Sequence, residues 1–200
     1  MKLLCLWMHL EIVLKKNIPM GAGLGGGSSD AAYFYNFLAE HYFPERTVKQ
    51  LEEDVSNLGS DCAFFIRGKV QHALGRGEIL EPIDLNLKGK HIVLVNPGIH
   101  ISTAFAFGSI VPNPNRNSLL NYITNPVEMW KNHIFNDFEE PVFKTYPELR
   151  KLKEFFYKNG AVYASMTGSG STVYGIFNSV PEIDLGQFGK NSFVETFVME

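Results

Sequence analysis

Cysteine is scarce in this chain, and its scarcity narrows the setting. Cys5 and Cys62 are the only two in 200 residues, with no metal-ligand spacing and no disulfide framework, so a reducing, cytoplasmic compartment is expected. A basic surplus is also missing. Eighteen Lys and Arg against 21 Asp and Glu leave a net charge of −3, which argues against a nucleic-acid partner. No apolar run approaches the length of a membrane span. The apolar start, Met1 to Met8, is broken by His9 and Glu11 and is not followed by a small-residue cleavage site. Internal repeats and low-complexity segments are absent. With 45% hydrophobic and 20% charged residues, the composition is that of a globular protein with one large domain or two small ones.

Glycine, in contrast, is concentrated. Pro19-Met20-Gly21-Ala22-Gly23-Leu24-Gly25-Gly26-Gly27-Ser28-Ser29 holds five glycines in the seven positions from Gly21 to Gly27. With so few Cβ atoms in the way, the backbone can take positive φ and turn several N–H groups toward one anion. Ala31, Phe34, Phe37, Leu38 and Tyr42 follow at helical spacing, so the loop leads into a helix rather than a linker. Ser28 or Ser29 is expected to cap that helix, and either hydroxyl could also approach a metal. The first-turn N–H groups and the positive end of the helix dipole then favour a polyphosphate. A Walker loop is excluded, because no lysine lies between Pro19 and Ala32. The dinucleotide fingerprint fits poorly, since Glu40, near the required spacing, falls in a helical pattern.

Alternation of Leu10, Ile12 and Leu14 with Glu11, Val13 and Lys15 predicts a strand entering the loop. Pro44 ends the helix after it near Phe43. Thr47 and Gln50 form a capping box for a second helix, with Val48, Leu51, Val55 and Leu58 as its buried stripe and Gly59 as its stop. Asp61 then lies in Gly59-Ser60-Asp61-Cys62-Ala63-Phe64-Phe65, where by itself it reads as a cap. Val70 to Leu74 and Ile79 to Leu85 read as strands around Gly75-Arg76-Gly77. His91 to Asn96 is a buried strand by its Ile92 to Val95 run, Ser102 caps a short helix, and Val111 to Ser118 is an exposed loop. A helical stretch opens at Asn136-Asp137-Phe138-Glu139-Glu140, and a second runs from Pro147 to Asn159 with Leu149, Leu152, Phe155 and Phe156 inside. Ala161 to Met166 and Thr172 to Phe177 are strands around Thr167-Gly168-Ser169-Gly170-Ser171. A weak helix near Ile183 to Phe188 precedes a last strand at Phe193 to Val198. The order β-α-β-β-α-β is ferredoxin-like.

Read together, Ile18 to Ala32 resembles the phosphate motif of the GHMP kinase superfamily, and its longer wording is similar to that of the 4-diphosphocytidyl-2-C-methyl-D-erythritol kinases. The resemblance extends in order through Gly-Ser-Asp at 59–61, Gly75-x-Gly77-Glu78, Ser102-Thr103 with Phe107, Asn136-Asp137-Phe138-Glu139 and the 167–171 glycine loop. It implies an α+β two-domain fold. Residues 1–88 would be part of an N-terminal ATP-binding domain of the ribosomal protein S5 domain 2 type, and residues 89–200 a ferredoxin-like C-terminal domain. It implies ATP as co-substrate with Mg²⁺, and a small-molecule acceptor, the 2-hydroxyl of 4-(cytidine 5'-diphospho)-2-C-methyl-D-erythritol. Neither a nucleic acid nor a membrane is expected as partner.

By the same resemblance Asp61 is the catalytic carboxylate, and residues Pro19 to Ser29 bind ATP. Thr103 lies beside the substrate diphosphate, Phe107 stacks on cytosine, and Asn136 to Glu139 is structural. No residue is assigned as a metal ligand. Cys62 and Ala63 stand where the family has valine and proline. Alternatives are a GHMP kinase for another alcohol, such as homoserine or mevalonate, and a nucleotide-binding protein without transfer. Family members also carry an early lysine near the transferred phosphate and a Gly-Tyr-His that clasps cytosine. This sequence has no Gly-Tyr-His, and Lys2 is not in a matching context. A chain lacking those parts is expected to be a poor kinase alone, with Phe34 and Phe37 exposed and a tendency to self-associate.

Overall fold

The structure is a computed structural model that describes residues 11–111, 113, 117–189 and 191–200. Its first part is helical. Helix α1, Gly26–Tyr42, packs with α2, Val48–Ser56, and α3, Cys62–Arg67. The three meet over a small core of Ala32, Val55, Cys62, Ala63 and Ile66. The expected capping box is present: Thr47 Oγ1 accepts from the Gln50 N–H at 3.3 Å, and Gln50 Oε1 accepts from the Thr47 N–H at 2.9 Å. The hairpin of β1, Gln71–Leu74, and β2, Ile79–Pro82, follows. Gln71 Nε2 ties it to α3 by donating to the Phe64 carbonyl at 2.9 Å.

The second part is a four-stranded antiparallel sheet. Strand β3, His91–Asn96, lies centrally, paired on one side with β5, Val173–Phe177, and on the other with β6, Phe193–Val198, while β4, Tyr163–Met166, pairs with β5. Counted within this sheet the order is 2-3-1-4, the ferredoxin-like order read from the sequence. The period-two rule assigns the faces. Val93 and Val95, Ala164 and Met166, and Val173 and Phe177 face one way, against α7, Glu139–Thr145, and α8, Pro147–Lys158. Ile92, Tyr163 and Ile176 face the other way and meet Val127 and Trp130 of α6, Val127–Trp130. Two short elements complete this part, α4, Thr103–Gly108, and α5, Leu120–Ile123. A 3-10 turn occupies Leu185–Phe188, where the weak helix was expected. Among the described residues no helix is long and apolar enough to cross a membrane.

Four expectations from the sequence are corrected. Glu11 to Leu14 are not a strand, and Leu10 lies outside the described residues. Alternation supplies a face but not a ladder partner, and without one the segment stays open, with Val13 87% exposed. Helix α1 begins at Gly26 rather than after a serine: Gly25 is its N-cap at φ 65, and Ser29 Oγ donates to the Gly26 carbonyl at 3.0 Å instead of capping. In α2 only Val55 is fully buried, while Val48 and Leu58 are exposed, because the helix has one small neighbouring core to face. Asn57, not Gly59, is the C-cap of α2, and the Gly59 carbonyl instead accepts from the Cys62 N–H at 3.1 Å. The expected exposure of Phe34 and Phe37 is seen, together with Tyr33 on the same helix. Of the expected loop at Val111 to Ser118, residues 112 and 114–116 lie outside the described residues, and Val111 is exposed.

Candidate active site

Positive φ recurs at alternate positions of the glycine loop: 65 at Gly21, 74 at Gly23 and 65 at Gly25. Such alternation curls a backbone into a concave run of N–H groups, a shape that accepts anions. Two of these glycines are also fixed by close packing. A Cβ on Gly23 would lie 2.3 Å from the Thr167 carbonyl oxygen, and one on Gly25 would lie 2.7 Å from the Phe65 ring. Gly27 has nothing within 4 Å of that position, so the start of α1 is open on that side. Lys16 forms an ion pair with Asp30 at the same end of the helix.

The loop at 167–171 joins β4 to β5, as a hairpin turn would, and also presses on the first loop. Thr167 Oγ1 donates to the Gly23 carbonyl at 2.9 Å, and the Thr172 N–H to the Ala22 carbonyl at 3.2 Å. Behind it stands a clamp from the segment entering α7. Asn136 Nδ2 donates to the Met166 and Gly168 carbonyls at 2.7 and 2.8 Å. Glu139 is buried, and its Oε1 accepts from the Met166 N–H at 2.8 Å and from Ser165 Oγ at 3.1 Å. Lys153 Nζ donates to the other oxygen of Glu139 at 2.5 Å. A buried carboxylate with all these donors is satisfied rather than reactive, which agrees with a structural role for Asn136 and Glu139.

These loops form one wall of a cleft of about 690 Å³, within the usual range for a small-molecule site. Pro19 to Ser28 line it with Gly168, Ser169 and Gly170, together with Asp61, His100, Ser102, Thr103 and Phe107. Ser29 is not among the lining residues. Asp61 occupies the N-cap position of α3, as its sequence context suggests, but its side chain makes no capping hydrogen bond. A Cβ on Gly77 would come within 3.4 Å of the Ser60 carbonyl and 3.8 Å of Asp61 Oδ1, so the β1–β2 turn backs the carboxylate closely. Thr103 is the first residue of α4, which Ser102 caps by accepting the Phe105 N–H at 3.0 Å. Phe107 is 60% exposed and meets Phe138 edge-on at 4.9 Å, so it is not a core aromatic. A second cavity, of about 510 Å³, lies between α7 and α8, lined by Asn136, Glu139, Arg150 and Lys153. Asp61, the glycine loop, Thr103 and Phe107 are all absent from it, so it is apart from the candidate chemistry.

Comparison with known proteins agrees with this geometry. The family model of the GHMP kinase N-terminal domain matches residues 2–69, and that of the C-terminal domain residues 123–189. The 4-diphosphocytidyl-2-C-methyl-D-erythritol kinase of Azobacteroides pseudotrichonymphae is 47% identical over 191 residues, covering 95% of this chain and 70% of that protein. The chain belongs to the 4-diphosphocytidyl-2-C-methyl-D-erythritol kinases, among the GHMP kinases. The enzyme of the same name from Bacteroides fragilis is 47% identical over 174 residues, covering 87% of this chain and 64% of that protein. Thus the chain spans about two thirds of the length of these curated relatives. A crystal structure of 4-(cytidine 5'-diphospho)-2C-methyl-D-erythritol kinase superposes with a TM-score of 0.71 at 28% identity, over 93% of this chain and 70% of that one. A homoserine kinase from Cytophaga hutchinsonii, at 16% identity and TM-score 0.64 over 92% of this chain and 68% of that one, shares the fold.

Within this kinase family fold, sequence reading located the loops but missed how they are joined. It left Asn136 and Glu139 without a target, because a side chain that serves a loop 30 residues away leaves no local periodicity. It passed over His100 altogether. That residue stands one position before the Ile101-Ser102-Thr103 run, and its type in that place was the available signal.

Proposed function

We propose that the chain transfers the γ-phosphoryl group of ATP to the 2-hydroxyl of 4-(cytidine 5'-diphospho)-2-C-methyl-D-erythritol, in the cytoplasm. The observation that supports this most is the meeting of Asp61 with the glycine loop on one cleft, in a chain whose curated relatives are named for that substrate. Phosphoryl transfer asks for positioning and charge compensation more than for covalent chemistry. Gly21 to Ser28 supply N–H groups and the start of α1 to hold the phosphates. Asp61 orients the 2-hydroxyl and takes its proton as the new O–P bond forms and the bond from the γ-phosphorus to its bridging oxygen breaks, leaving ADP. Thr103 lies beside the substrate diphosphate, and Phe107 offers an exposed ring for cytosine. Bound with the nucleotide, Mg²⁺ would supply charge compensation for the phosphates. Among the described residues no group of three or more His, Cys, Asp or Glu could hold the ion alone. Ser28, which lines the cleft, would supply the hydroxyl able to approach the ion.

The test presents the purified chain with ATP and Mg²⁺ and, separately, the diphosphocytidyl alcohol, homoserine and mevalonate. A phosphorylated product from the first alone, formed slowly by a chain expected to be a poor kinase by itself, is the expected result. Transfer to either of the others instead would overturn the substrate assignment. ATP binding with no transfer to any would replace it with nucleotide binding alone.

A further inference from the structure

Charge is sparse along the cleft. Among its described lining residues only Asp61 and His100 ionise, and no lysine or arginine is present. Lys16, at the end of α1 that faces the loop, is already engaged by Asp30. A cleft meant for two polyphosphates thus holds one carboxylate and one imidazole.

The backbone around His100 is pinned on both sides. The Gly98 N–H donates to Asn96 Oδ1 at 2.8 Å, and the Ile99 carbonyl accepts from Ser171 Oγ at 2.5 Å. Ile101 is 3% exposed, with its Cδ1 2.8 Å from where a Cβ on Gly170 would lie. With residues 99 and 101 held toward the 167–171 loop, residue 100 is left facing the cleft. Its ring lies against the glycine loop: Nδ1 and Cε1 are 3.3 and 3.4 Å from where a Cβ on Gly21 would stand. Neither ring nitrogen has a hydrogen-bond partner among the described residues. A partnerless imidazole, held over the concave loop and three residues from Thr103, has the reach and chemistry of an anion ligand.

We propose that His100 is a phosphate-binding residue of this kinase, donating a ring N–H to a phosphoryl oxygen of a polyphosphate seated against Gly21. The inference rests on the proposed reaction, and two polyphosphates are available there: the phosphates of ATP and the diphosphate bridge of the cytidyl substrate. Both present the same oxygens, so the experiment separates them.

The unsubstituted chain and the variants His100→Ala, His100→Asn and His100→Gln are titrated calorimetrically with ATP and Mg²⁺, and separately with the diphosphocytidyl alcohol. Thermal midpoints are recorded for each. His100→Ala is expected to weaken one of the two ligands by about tenfold, the scale of a charge-assisted hydrogen bond, with the midpoint unchanged. The ligand that weakens identifies the source. An amide variant that restores affinity identifies the ring nitrogen, since asparagine places its N–H near Nδ1 and glutamine near Nε2. Unchanged affinity for both ligands in His100→Ala would overturn the inference. So would a loss of both that tracks a fall in midpoint. If the unsubstituted chain binds neither ligand, the proposed reaction fails and this inference fails with it.

Discussion

The two parts of the molecule are built to different standards. Around α1 to α3 the core is made of small side chains, and Tyr33, Phe34 and Phe37 stand out from α1 together with Ile12, Val13 and Leu14 before the loop. Around the four-stranded sheet, each face carries a core cluster although β6 ends exposed, and Phe156, Leu149, Val93 and Val173 are almost fully buried. Yet the glycine loop belongs to the first part. Its carbonyls at Ala22 and Gly23 are held by Thr172 and Thr167 of the second. The weakly packed region carries the phosphate loop, and the well-packed region sets its shape.

The largest effect is expected where the two regions touch. Gly23→Ala puts a Cβ 2.3 Å from the Thr167 carbonyl at a φ of 74 that disfavours any side chain, so the loops must separate. ATP binding by calorimetry should be lost. Retained affinity would show that the second loop does not shape the first. Gly25→Val should act likewise through the Phe65 ring rather than by crowding phosphate, because that is where its Cβ points.

Asp61 comes next, and it concerns rate rather than shape. With Asp61→Asn, turnover should fall by about a hundredfold or more while ATP affinity stays within a few-fold. Normal turnover would remove the carboxylate from the chemistry.

Glu139→Ala tests the clamp from the far side. It strands the Met166 N–H and the Lys153 ammonium, which should cost about 2–3 kcal/mol by chemical denaturation. If the clamp acts on the site, hydrogen exchange should also quicken at residues 21–25, beyond the 167–171 loop. Faster exchange in the sheet alone would confine Glu139 to stability. A smaller effect belongs to the exposed aromatics. Phe37→Glu should reduce concentration-dependent association measured by light scattering, and no change would clear this face of such a role.

The smallest effect is a pH dependence that compares the regions directly. Burial, then the hydrogen bond to Asp54, pushes the Tyr35 phenol up to about 12, and burial pushes Tyr174 up to about 12. Both groups are held neutral in the folded chain, so each adds stability that is complete below the unfolded phenol value of about 10 and is lost as pH rises from there through about 12. Stability measured across that window should therefore fall. Tyr35→Phe and Tyr174→Phe should each flatten the fall, and an unchanged slope in either would show that its phenol titrates alike in both states.

Much of this protein was legible in local sequence. The capping box at Thr47 and Gln50, the Ser102 cap, the strand marked by the continuous apolar run Ile92 to Val95 and the β-α-β-β-α-β order all depend on residues within a few positions of one another. The phosphate loop was legible for the same reason, since a run of glycines states its own conformational freedom. Interactions across the chain were decided only in three dimensions. Alternation at Ile12 and Leu14 could not supply a ladder partner, and Val48 and Leu58 could not supply a core to enter. Gly25 displaced the two serines as the helix cap because its left-handed backbone closes the turn earlier. The joining of Asn136 to the 167–171 loop, of Glu139 to the end of β4 beside it, and of that loop to Gly23 spans up to 144 residues. Contacts at that separation leave no periodic trace, because what brings the partners together is the packing of the sheet and its helices, not the spacing of the residues that touch.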